Sequence, residues 1–315
     1  MKAQTFPFVS IIVPTFNEAK YIRYCLDSLK NLSYPAGLFE IIIVDNGSTD
    51  NTLEICREYS DLIYSCPGVT IAALRNYGVN KAAGTVYAFI DADCVADKDW
   101  LSTAITLVGK ENCITGSKYL VPQNGTWIEK TWFSQKTKGR REVPYINSGN
   151  LIVPGSVFKR VGGFKESLKT GEDYEFCLRA SKEAKIISDE DIKVTHLGNP
   201  KTIRQFLRRE IWHGIGALGS LKIKFLDKPL IGTVAFFILT VFQIVGIFLD
   251  DRRLLFIYST LLIVLLLSIT VSWRKKYIAS FVQGLQLFLL YYVYYFGRSI
   301  SLLYIITGKT FYRKK

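Results

Sequence analysis

No two cysteines of this 315-residue chain stand in a C-x-x-C arrangement, which removes zinc ribbons and redox dithiols from consideration. The six that occur (Cys25, Cys56, Cys66, Cys94, Cys113 and Cys177) all precede residue 200. Scattered through apolar or helical contexts, such cysteines behave as small core hydrophobes in a reducing compartment. Residues 1–8 hold no apolar run of the kind a secretory signal needs, so the first 200 residues are expected to stay in the cytosol. Those 200 residues also lack net charge, with 23 Lys+Arg against 23 Asp+Glu. The whole excess of +13 falls in the remaining third, between apolar runs. Basic residues beside apolar runs suit membrane lipids; a nucleic-acid binder would carry them on its folded domain, among aromatics. Nucleic acid is therefore not an expected partner.

Charge is missing altogether from three stretches, residues 229–249, 254–273 and 277–297. Each is close to the ~20 residues a helix needs to cross a bilayer. A soluble core helix rarely runs so long uncharged, so all three are read as membrane helices, with 299–308 a further short apolar run. Residues 201–228 and Arg274-Lys275-Lys276 are basic, whereas Asp250-Asp251-Arg252-Arg253 sums to zero. The positive-inside rule then puts the N-terminal domain and 274–276 in the cytoplasm and 250–253 outside. A third full crossing would place the basic tail (Lys309, Arg313, Lys314, Lys315) outside, so Gly297-Arg298 is a candidate break with 299–308 lying on the cytoplasmic face. Two and three crossings both stay open. Within 201–225, Ile203, Phe206, Leu207, Ile211, Ile215 and Leu218 recur near helical spacing among Arg204, Arg208 and Arg209. That pattern reads as a basic amphipathic interfacial helix, to which His213 is assigned.

Residues 1–200 alternate strand and helix signals. Residues 9–13 make a strand that breaks at Pro14; 40–44 and 86–90 make two more; 19–30, 50–59 and 69–83 are helical in pattern. The rhythm predicts an α/β domain with a mostly parallel, Rossmann-like sheet, whose ligands bind outside the carboxyl ends of the strands. The residues after each strand are Pro14-Thr15-Phe16-Asn17-Glu18, Asp45-Asn46-Gly47-Ser48-Thr49-Asp50 and Asp91-Ala92-Asp93. In the second, Ser48 or Asp50 is expected to cap the next helix and Asp45 to face a ligand. In the third, two carboxylates at i and i+2 beyond a buried strand bring oxygen ligands together, suited to Mg²⁺ or Mn²⁺ bridging a diphosphate.

The order of these pieces resembles family 2 glycosyltransferases of the GT-A fold, in their membrane-anchored bacterial or archaeal form. The matching segments are Ser10-Ile-Ile-Val-Pro-Thr-Phe-Asn-Glu18, Ile43-Val-Asp-Asn-Gly-Ser-Thr-Asp50, Leu74-Arg-Asn-Tyr-Gly78 with Ala83-Gly84, Phe89-Ile-Asp-Ala-Asp93, Asn147-Ser-Gly-Asn150, Gly162-Gly-Phe164 and Gly171-Glu-Asp-Tyr174. The resemblance implies a catalytic domain over residues 1–200, an interfacial segment over 201–228 and a membrane domain over 229–315. It implies a nucleotide-sugar site at Pro14, Thr15, Asn17, Glu18, Asp45, Arg75, Asn76, Asp91, Ala92, Asp93, Asn150 and Glu172. Asp173 would be the base, and Asp93 the metal ligand, with His196 as a third metal ligand. The implied reaction is a single displacement with inversion, from a nucleotide-diphosphate sugar to a lipid-linked or glycan acceptor at the cytoplasmic face, in glycan, exopolysaccharide or glycolipid assembly. Polyprenyl-phosphate sugar synthesis and a catalytically silent membrane scaffold are the alternatives, and assembly into an oligomer is left open. Two departures stand out. Asn46 replaces a second aspartate, and the Q-x-x-R-W of processive synthases is broken, since Arg209 follows Gln205-Phe-Leu-Arg208.

Overall fold

The computed structural model describes residues 6–134, 139–219, 228–248, 253–273, 278 and 280–307. The chain forms two compact units: Met1–Gln123 with Gln135–Gly198, and Asn124–Ser134 with Asn199–Lys315.

The first unit is built on an eight-stranded sheet. Its first strand, β1 (Val9–Thr15), is buried at every position because both faces of the sheet are covered. Val9, Ile11 and Val13 pack with Ile22, Leu26 and Leu29 of α1 (Ile22–Lys30) in one core. Ile12, pointing the other way, packs with Ala72 and Val79 of α3 (Ile71–Lys81) in a second. A strand buried at every position, its polar Ser10 included, thus has two dry faces rather than one. Gly78 lets α3 lie close, since a Cβ there would stand 2.6 Å from Ile12 Cγ2.

The other strands are β2 (Phe39–Asp45), β3 (Ile63–Ser65), β4 (Val86–Ile90), β6 (Ile114–Gly116), β7 (Arg141–Glu142), β8 (Asn150–Pro154) and β9 (Ile186–Ser188), in the order β3-β2-β1-β4-β8-β6-β9-β7. The sheet is mostly parallel, as expected, with antiparallel pairings toward one side. Strands β3, β2, β1 and β4 are parallel, but β8 runs antiparallel to both β4 and β6. Strands β5 (Cys94–Ala96) and β10 (Val194–His196) pair antiparallel in a separate ribbon. Pro14 does not end β1: the strand continues to Thr15, paired with β2 alone, because pairing with β4 stops at Ile12. On that open side the missing N–H has no partner to lose.

The second unit holds α7 (Ile203–Gly219), α8 (Lys228–Phe248), α9 (Arg253–Trp273), α10 (Phe281–Ile306) and a π-helical turn, Glu129–Phe133. Pro229–Phe248 and Arg253–Trp273 are long and apolar enough to cross a membrane, and Gln243 Nε2 donates to Thr260 Oγ1 between them at 2.8 Å. The candidate break at Gly297-Arg298 is absent: α10 runs through it without interruption. Arg298 instead faces α7, where Glu210 accepts from its Nη2 at 3.1 Å and from Arg209 at 2.5 Å. A charge that looked like a helix end is paired inside the unit. Trp132 of the π-helical turn packs on Phe206, Tyr291 and Tyr294. The expected loops at 250–252 and 274–276, the basic tail and residues 220–225 lie outside the described residues.

Glu210 is 1% exposed and has two arginine partners. Removing one member of such a group strands the rest, so Glu210→Ala should cost about 3 kcal/mol of stability. Thermal unfolding in detergent reads this as a lowered midpoint, and a midpoint matching the parent would disprove it.

Candidate active site

The loops after β1, β2 and β4 meet at the carboxyl edge of the sheet. The first two are zipped together by their own polar groups. Asn46 N–H donates to the Thr15 carbonyl at 2.9 Å, Asn17 N–H to Ser48 Oγ at 2.9 Å, and Glu18 N–H to Thr52 Oγ1 at 2.8 Å. Asn17 sits at φ 53°, which an asparagine tolerates, and its Oδ1 accepts from Thr49 N–H. Pro14 and Thr15 close β1, with Thr15 Oγ1 buried. Asp50 supplies the expected cap, accepting from Thr52 N–H at 3.1 Å, and also accepts from Ala19 N–H.

Asp45, expected to face a ligand, is buried behind its own loop. It has no exposed surface, and its carboxylate accepts from the N–H groups of Gly47 and Ser48 and from the Ser48 hydroxyl. Asn150, also expected at the donor, is equally closed. Its amide donates to the Ser117 and Ile192 carbonyls and accepts from Trp100 Nε1, and none of it is exposed. A buried amide with all these partners is architecture. Asn76 likewise spends its amide on the Phe164 backbone, in both directions, and on Glu166.

The acidic residues behave differently. Asp91-Ala92-Asp93 forms the turn between β4 and β5, closed by Cys94 N–H donating to the Asp91 carbonyl at 3.0 Å. Ala92 packs in the core, while Asp91 and Asp93 keep part of their carboxylates exposed. Asp91 Oδ1 accepts from Arg75 Nη2 at 2.7 Å. Glu172 Oε1 accepts from Arg75 Nη1, also at 2.7 Å. Arg75 comes from α3 and Glu172 opens α6 (Glu172–Ala180), so one guanidinium joins three elements. Burial alone would lower the Arg75 pKa, but Asp91 and Glu172 outweigh it and hold the group charged. Arg75, expected beside the nucleotide, is 1% exposed and acts from behind the carboxylates.

Asp173 follows Glu172 on the first turn of α6. Its carboxylate accepts from Tyr174 N–H at 2.8 Å and from Asn147 Nδ2 at 3.3 Å. Burial, and then the charge of Glu172, push its pKa up to about 6. Asp93 has a different neighbour. The register of β10 on β5 sets His196 opposite Cys94, which brings His196 Nε2 to 3.7 Å from Asp93 Oδ1. Ligand atoms of Asp93, Cys94 and His196 all lie within 4.8 Å of one another. Burial raises the Cys94 thiol well above its usual range, whereas Asp93 and His196 offer the oxygen and nitrogen donors that harder divalent ions prefer. One carboxylate and one imidazole suit Mn²⁺ or Mg²⁺ with diphosphate oxygens completing the shell.

Sequence reasoning missed Tyr119, whose hydroxyl donates to Asp91 Oδ2 at 3.3 Å, and Asn147, which steadies Asp173. It also missed two glycines. A Cβ on Gly149 would lie 2.2 Å from Asp91 Oδ2, and one on Gly198 1.9 Å from Asp93 Oδ2. The signal was present in Asn147-Ser-Gly-Asn150, of which the reading singled out Asn150.

Arg75→Met should leave Asp91 and Glu172 uncompensated and cost about 3–5 kcal/mol in chemical unfolding. Adding Glu172→Gln should recover part of that loss, by removing one stranded charge. A double variant no more stable than the single would break the assignment of Glu172 as partner.

Comparison with known proteins extends this picture. The model of glycosyl transferase family 2 matches residues 10–164. Glycosyltransferase AglE of Haloferax volcanii is 31% identical over 189 residues, 56% of this chain and 62% of that protein. A dolichyl N-acetyl-alpha-D-glucosaminyl phosphate 3-beta-D-2,3-diacetamido-2,3-dideoxy-beta-D-glucuronosyltransferase of Methanococcus voltae is 29% identical, over 66% of this chain and 72% of its own. The chain thus spans under two thirds of the AglE length. Among solved structures, mannosyltransferase PcManGT from Pyrobaculum calidifontis, in complex with GDP-Man and Mn²⁺, superposes with TM-score 0.60 at 16% identity. That match covers 98% of this chain and 89% of the other. TarS 1–349 of Staphylococcus aureus, in complex with UDP-GlcNAc, gives 0.51 at 19% identity, covering 96% and 93%. With a mixed sheet of the GT-A type and its motifs in this order, residues 10–164 form a glycosyl transferase family 2 domain.

Proposed function

We propose that the chain is an inverting glycosyltransferase, moving a sugar from a nucleotide-diphosphate donor to a hydroxyl of a lipid-linked or membrane-proximal acceptor. The observation that carries this is the Arg75 bridge, which sets the D-x-D carboxylate Asp91 and the helix turn bearing Asp173 around one buried cation. The sugar nucleotides and Mn²⁺ bound by the structural neighbours support the donor class and a divalent ion.

Each residue then has a task. Asp173 accepts the proton of the acceptor hydroxyl, while Asn147 and the Tyr174 N–H fix its carboxylate. The acceptor oxygen bonds to the anomeric carbon as the bond from that carbon to the diphosphate breaks. The electron pair leaves with the nucleoside diphosphate. Asp93 and His196 would hold Mg²⁺ or Mn²⁺, which when bound neutralises charge gathering on the diphosphate. Asp91, aimed by Arg75 and Tyr119, is left for the nucleotide. Helices α8 and α9 would span the bilayer, with the catalytic unit at its cytoplasmic face, where the basic collar on α7 favours anionic lipid.

Purified protein given a panel of nucleotide sugars should release nucleoside diphosphate only with a divalent ion present; full turnover in EDTA would remove the metal from the scheme. Asp173 works deprotonated and its pKa is raised to about 6, so protonation begins to remove the base near neutrality. The rate kcat/KM should therefore be flat above that value and fall by about tenfold per pH unit below it. An acid limb near pH 4, or an Asp173→Asn variant of near-normal rate, would place the base elsewhere.

A further inference from the structure

The proposed reaction leaves the chemistry of the acceptor open, and the surroundings of Asp173 narrow it. Two tyrosines flank this carboxylate in the catalytic unit. Tyr174 is its chain neighbour and 53% exposed; Tyr145, 42% exposed, lies two residues before Asn147, which donates to Asp173. Their rings meet edge to face, with centroids 5.5 Å apart and planes at 75°. A single exposed tyrosine is ordinary, but here two are stacked into one surface beside the proton acceptor. Asp173 also adds to burial in raising the Tyr145 phenol, as expected of close neighbours.

Charge narrows the choice further. Asp91 and Glu172 engage both Nη groups of Arg75, whose side chain is 2% exposed, and Asp173 stands beside them as a third carboxylate. A phosphate acceptor would bring further negative charge to these carboxylates, and it needs no base because it is already ionised. A neutral hydroxyl avoids the repulsion and needs the base. The moiety carrying that hydroxyl must lie within one ring's width of Asp173, against the tyrosines. A pyranose fits such a surface. Its C–H face meets the electron-rich face of an aromatic ring, and its hydroxyls can bond to the phenol oxygens.

Resting on the transferase reading above, we infer that Tyr145 and Tyr174 form an acceptor subsite that binds a saccharide ring and presents its hydroxyl to Asp173. The acceptor class is thus a sugar, free or lipid-linked, and not a bare polyprenyl phosphate.

The test uses the full-length protein in detergent, the donor identified by the nucleotide-sugar panel, and two kinds of acceptor probe. These are octyl β-glycosides of glucose, galactose, mannose and N-acetylglucosamine, and farnesyl phosphate. At least one glycoside should be glycosylated, and farnesyl phosphate should not. Tyr174→Ala and Tyr145→Ala should each raise the glycoside KM by about five- to tenfold, the size of one aromatic contact, and move the donor KM far less. Tyr174→Phe, which keeps the ring, should restore most of the acceptor affinity. Transfer to farnesyl phosphate with no glycoside used, or a glycoside KM unmoved in both alanine variants, would overturn the subsite while leaving the transferase reading intact. A parent enzyme that turns over no donor would instead overturn that reading, and the subsite with it.

Discussion

A single guanidinium, closed in between two carboxylates, holds the catalytic edge of this protein together. Arg75 cannot be where it is without Asp91 and Glu172, because an unpaired charge at 1% exposure would be far too costly. Nor can the carboxylates converge without it. The consequence is geometric. Helix α3, the end of β4 and the start of α6 are fixed to one point, and the residues that face outward from that point inherit its position. A lysine would not serve, since one ammonium cannot present two directed Nη donors to two acids in fixed planes.

Around this point much of the polarity is scaffolding. Asn17, Asn46, Asn76 and Asn150 each use the side-chain amide as a substitute peptide group. Asn46 shows it best: its Nδ2 donates to the Val69 carbonyl while its Oδ1 accepts from Val69 N–H. An aspartate could not donate, so the asparagine found there locks the loop before α3 in a way the acid would not. Strand ends leave backbone groups without ladder partners, and amides at fixed positions fill those places.

What the sequence made legible follows from how locally each feature is encoded. The strands, α1 and α3 were readable as apolar runs and periodicities of a few residues. Asp91 and Asp93 were readable because they directly follow the buried apolar strand β4, and the turn that carries them is encoded within a few residues. His196 was weaker, for it reaches Asp93 only through a ribbon pairing between segments a hundred residues apart, which no local pattern announces. The burial of Asn150 and Asp45 was not legible, because polarity near a strand end does not reveal which way a side chain is spent. Gly297-Arg298 was misread for a related reason: a lone arginine in an apolar run marks a boundary unless a distant acid, here Glu210, awaits it.

The π-helical turn at Glu129–Phe133 has a consequence for how the chain is made. Its Trp132 finds its aromatic partners on α7 and α10, and the last of these, Tyr294, follows it by roughly 160 residues. At ribosomal speeds of about 5–20 residues per second, that segment waits for roughly ten to thirty seconds with its indole uncovered. The sheet can assemble meanwhile, but Trp132 meets its last ring partners only once the final helix emerges. The second unit thus completes its aromatic cluster late in synthesis, after the chain of the first unit is already made.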